Sequence, residues 1–159
     1  MTDVTLDSAL SSLAASAAAF NETSDKCNRV LRETEQQLVA FNIGIEHWHG
    51  QPLARTDPTG DIGPHAHETE VVTVLGFAKL LGKWCLAVKE MRLVSGFYQG
   101  NMDSPFQNRY AHRDPLPLVD APRELRMRAL MLLPEFVAGF VEVVQEANSC
   151  LVKSCEQLS

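Results

Sequence analysis

Residues 6–41 read LDSALSSLAASAAAFNETSDKCNRVLRETEQQLVAF. Leu6, Leu10, Leu13, Ala17, Phe20, Ser24, Cys27, Leu31, Thr34, Leu38 and Phe41 recur at alternating steps of four and three, without a slip, over five heptads. That spacing sets all of them on one stripe of an α-helix. Asp3 or Thr5 can cap the start, and Asp7 suits the positive end of the helix dipole. Neither Pro nor Gly intervenes before Gly44. A helix over about 5–39 would be roughly 50 Å long at 1.5 Å per residue. A small sheet cannot cover that length, so the stripe predicts a second long helix alongside, from this chain or from a partner.

The second helix is legible at the other end. Asp120-Ala121-Pro122 is a start signal. Leu125, Ala129, Leu132, Phe136, Phe140, Val143, Ala147, Leu151 and Cys155 follow at helical spacing, which predicts a helix over about 121–157. Pro134 falls inside it and is expected to kink or divide it, because proline lacks the N–H donor.

Between the helices the period changes from 3.6 to 2. Residues 41–48 alternate apolar and polar through Phe41, Ile43 and Ile45 and read as a strand. Residues 70–80 and 84–94 read as a hairpin turning at Leu81-Gly82-Lys83. Val72 and Val74 lie on one face of that hairpin and Leu75 and Phe77 on the other, so both faces ask for cover. Residues 50–68 and 95–120 hold most of the Gly and Pro and read as irregular loops. The expected fold is α+β in a single domain, residues 1–159. It comprises a long N-terminal helix, a three-stranded antiparallel sheet and a long C-terminal helix, the helices packed antiparallel on one sheet face. A symmetric homodimer is the simplest way to bury the remaining stripe and sheet face.

Composition narrows the function classes. The 159 residues are 45% hydrophobic and 21% charged, as in a globular protein. No apolar run reaches the roughly 18 residues that span a bilayer. The acidic start Met1-Thr2-Asp3-Val4 is unlike a secretory signal, so the expectation is a cytoplasmic protein without a membrane. Cys27, Cys85, Cys150 and Cys155 form no CxxC pair and read as buried thiols. A net charge of −6 counts against nucleic acid as the main partner. The charge is uneven, however: residues 1–78 carry −7, residues 79–128 carry +4 and residues 129–159 carry −3.

Two sets of side chains are candidate sites. His47-Trp48-His49 and His65-Ala66-His67 are HxH pairs, and in a strand both rings of such a pair share a face. With Glu70 nearby, His47, His49, His65 and His67 have the donor types to hold a divalent metal. The run Gly63–His67 with Glu70 is similar to the metal motif of cupins over about ten residues, but a cupin needs more strands than this pattern offers. The second set is basic: Arg109, Arg113, Arg123 and Arg126, with Tyr98 and Tyr110, suit a phosphate or carboxylate. No GxSxG elbow, GxGxxG or phosphate-binding Gly-Lys-Ser/Thr loop is present, so an enzyme is not the leading expectation. The element order is similar to that of small nucleoid-associated dimers, a likeness of order alone. The sequence thus favours a homodimeric interaction or scaffold module with an unknown protein partner. A small-ligand or metal protein sited between the two loops is the alternative, and a nucleic-acid binder the third.

Overall fold

The computed structural model describes residues 5–60, 67–97 and 104–157. Helix α1 spans Leu6–Ala40, and Thr5 caps it by accepting the Ser8 N–H. Strands β1 (His47–Arg55), β2 (Glu68–Leu80), β3 (Lys83–Phe97), β4 (Pro105–Ala111) and β5 (Leu116–Pro117) follow. A 3-10 turn, Leu118–Asp120, leads into helix α2, Arg123–Gln157. The protein is α+β, with two helices and one antiparallel sheet.

Among the described residues the sheet has five strands, not the three expected. Its order is β1-β2-β3-β4, with β5 also on β3. Two local causes account for the difference. Asn42 and Gly44 take positive φ angles of 52° and 68°, so the expected strand at 41–48 is a turn after α1 and pairing begins only at His47. The strand then continues into the expected loop, because β1 is an edge. Pro52 needs no ladder donor there, and the register shifts on either side of it absorb Gly50 and Gln51. At the other edge β4 has little apolar alternation to announce it: Gln107, Asn108 and Arg109 are all exposed.

Register assigns the faces. Leu75 opposite Val88 and Phe77 opposite Leu86 point to the helices, where Phe136, Phe140, Ala129, Leu133, Leu31 and Leu38 complete the main core. Val72 opposite Met91, Val74 opposite Lys89 and Glu70 opposite Leu93 point the other way, to a face that, among the described residues, no helix covers. The helical run of α2 continues undivided through Pro134.

The helices do not pack antiparallel. Arg123 donates to the Asn21 side chain at 3.0 Å, and Leu38 lines a groove with Val137 and Phe140. Contacts climb both helices together, so α1 and α2 run in the same direction. The reason is topological. The sheet path returns the chain to the level of Asn21 before α2 begins, and α2 then climbs past β1 from Leu53, whose carbonyl accepts from Arg128 at 3.1 Å, to His47 beside Phe140.

Glu35 ties α1 to the sheet. Its carboxylate accepts the Leu86 N–H at 2.8 Å, just past the β5 pairing at Ala87 and Val88. Burial pushes the carboxyl above the ordinary value of 4.5, and the Leu86 N–H partly offsets this. A raised folded pKa favours the protonated form, so this group's contribution is greatest below pH 4.5 and is lost as pH rises through the folded value. Glu35→Gln keeps an acceptor without the charge and should match or exceed the wild type in urea melts at pH 7. Glu35→Ala leaves the Leu86 N–H unpaired and should cost about 1 kcal/mol.

Candidate interaction surfaces

The metal set is not assembled. His47 and His49 point toward α2: the His47 ring stacks 5.1 Å from Phe140, and His49 lies 6.2 Å from Phe136. Both Nε2 atoms are buried without a hydrogen-bond partner. His67 lies at the opposite end of the sheet, 5.5 Å from Phe106. Glu70 accepts from Arg55 at 2.9 Å on the uncovered face. His65 lies outside the described residues. Among the described residues no three His, Cys, Asp or Glu side chains come close enough to hold a metal ion.

The basic set is dispersed too. Arg113 pairs with Glu90 at 3.4 Å, and Arg92 sits 5.8 Å over the Tyr110 ring. Arg123 lies 4.9 Å over Phe20, and Arg126 donates to the Val119 carbonyl at 3.1 Å. Arg109 is across the sheet from these, on the uncovered face. Tyr98 is outside the described residues.

Burial lowers the His47 pKa below the ordinary 6.5, and the neighbouring His49 adds to the shift. As pH falls, the unfolded chain takes up this proton before the folded one, so stability drops as pH falls below 6.5. Thermal melts from pH 8 to pH 5 should show it, and His47→Phe should flatten the profile.

Two surfaces stand out in the fold, a bare apolar one on the helices and a polar-rimmed one on the sheet face away from them. The first comes from the parallel helices. Asn21 sits beside Arg123, and Leu38 shares a groove with Phe140, an offset of 102 in both cases. Residues 6–20 therefore project beyond the start of α2, and residues 143–157 project beyond the end of α1, about 22 Å each. The α1 stripe is buried where α2 runs beside it, at Ser24, Leu31 and Leu38, and bare where it does not. Every residue from Leu6 to Thr23 is exposed, Leu6 at 74% and Leu13 at 64%. The α2 overhang is half-buried at Val143, Val144 and Ala147 and exposed at its other described positions, with Leu151 at 65%. Cys150 and Cys155, expected to be buried, are exposed on it. At its root lies an apolar groove of ≈ 180 Å³ between Leu38, Phe41, Ile43, Val137, Val141 and Val144.

The second surface is the open sheet face. Trp48 lies flat over Gly76, and Lys89 Nζ sits 4.0 Å from the centre of its ring. Burial lowers the Lys89 pKa, with Glu46 opposing the shift. Beside Trp48, Val72, Val74, Met91 and Leu93 floor a shallow cup of ≈ 90 Å³ rimmed by Arg55, Gln107 and Arg109.

Compared with family models, curated proteins and solved structures, the chain matches none. Among the described residues no helix is long and apolar enough to cross a membrane.

Proposed function

We propose that this protein is a homodimeric interaction module whose helices hold two copies together and whose open sheet face receives another protein. The observation that supports it is the α1 stripe: a regular, mostly apolar row of side chains, covered from Ser24 to Leu38 and bare from Leu6 to Phe20. A row of exposed leucines along a helix of this length favours a helical partner. A chain that folds and pairs together should melt at a temperature that rises with protein concentration. Leu10→Glu with Leu13→Glu should abolish that dependence while leaving the far-ultraviolet circular dichroism of the fold in place. A melting temperature independent of concentration in the wild type would contradict the reading.

The sheet cup favours a second reading, a site for a small carboxylate with an apolar tail. Arg109 would meet the charge and Val72, Val74 and Leu93 the tail. Titration with short-chain fatty acids followed through Trp48 fluorescence tests it; a response that survives Arg109→Ala would count against it.

A further inference from the structure

We infer that the overhang of α1 in one copy packs antiparallel on the overhang of α2 in a second copy, and that Phe20 of the first seats in the groove at the root of the second. This rests on the homodimer proposed above and names its contact.

The geometry of the two helices carries the argument. Both are 35 residues long, and their constant offset leaves overhangs of equal length at opposite ends, that of α1 fully exposed and that of α2 exposed beyond Ala147. A two-fold axis across the helices exchanges those ends. It lays residues 6–20 of each copy along residues 157–143 of the other, and both overhangs are covered at once. Pairing α1 with α1 of the second copy would cover only one overhang and leave Leu151 and Val152 in water.

In this register paired residue numbers add to about 163, as the helix ends require. Leu13 then falls opposite Cys150, Ala17 opposite Glu146, and Phe20 opposite Val143. Val141 and Val144, on either side of that level, line the apolar groove. Phe20 is the largest side chain on the bare half of the α1 stripe, and the groove is the apolar hollow at the matching level of α2. Phe20 is 46% exposed, so its ring has a face to give.

Area is consistent with a second copy as the occupant. Each overhang is about 22 Å long and about 10 Å across, so the two pairs cover on the order of 900 Å² as a flat footprint. Side-chain relief and the groove raise the buried area toward the roughly 1,200 Å² at which specific interfaces begin. Antiparallel pairing also sets the N-terminus of α1 beside the C-terminus of α2, whose last turn holds no basic residue, so opposite dipole ends meet.

Cysteine cross-linking tests the contact. Leu13→Cys and, separately, the pair Ala17→Cys with Glu146→Cys are oxidised at low protein concentration, and the linked peptides are mapped by mass spectrometry without reduction. Ala17→Cys removes little apolar contact, so the pair reports even where Leu13→Cys weakens the dimer. The expected result is a link between chains from residue 13 to Cys150 in the first variant, lost on Cys150→Ser, and from residue 17 to residue 146 in the second. A link from residue 13 to residue 13, or from residue 17 to residue 17, would overturn the arrangement in favour of α1 against α1. A dimer by sedimentation that gives neither expected link would overturn the arrangement and leave the homodimer standing. A monomer at all concentrations would overturn both.

Discussion

Phe136→Ala should lower the free energy of unfolding by about 3–5 kcal/mol. Phe136 is fully buried and lies between the sheet and the helices, touching His47 at 5.2 Å and Phe140 at 6.2 Å between ring centroids. Truncation removes the ring's transfer energy and leaves a cavity that β1 and α2, fixed by Arg128 to Leu53, cannot close. It also gives the His47 ring access to water, so its protonation becomes easier. Urea melts at pH 7.5 and pH 5.5 check both parts: a large loss at each pH, and a smaller difference between the two than in the wild type. Phe136→Leu should cost less, because most of the volume is kept.

Gly76→Val should cost about 3 kcal/mol, the upper end of what overpacking takes. A Cβ at Gly76 would overlap Trp48 Cε3, so even the first added carbon has no room. The indole must leave the open face, and Lys89 loses the ring beneath its ammonium group. Trp48→Ala removes the obstacle, so the double variant should be more stable than the sum of the single losses predicts. Strict additivity in denaturant melts would mean that the indole is not what excludes a side chain at Gly76.

The long periods were legible in the sequence and the edges were not. The steps of four and three from Leu6 to Phe41 predict the first helix because a helix of that length repeats its signal many times. The hairpin at 70–94 was readable from its β-branched runs. β1 was hidden because Pro52 and Gly50 are turn residues by composition and become strand residues only at an edge, beside β2. β4 was hidden because Gln107, Asn108 and Arg109 are exposed and show no apolar alternation. Helix direction could not be read either, since a stripe gives the buried face and not the neighbour's polarity.

The candidate residues show the same limit. His47 and His49 look like ligands in the sequence and lie against aromatic rings in the fold, because the residues that enclose them, Phe136 and Phe140, are about 90 positions away. Arg109 and Arg126 share a basic stretch and end on different parts of the molecule. The bare stripe is legible in the sequence. Half of a regular seam runs through Ala14–Ala19 and Leu13, where no element of this chain was required to meet it.

Sedimentation equilibrium of the wild-type chain, from low micromolar to submillimolar concentration, tests the central claim most directly. The account predicts the mass of two chains at the upper end, falling toward one on dilution, and one chain throughout for Leu10→Glu with Leu13→Glu. A wild-type chain that sediments as a monomer over the whole range would contradict it.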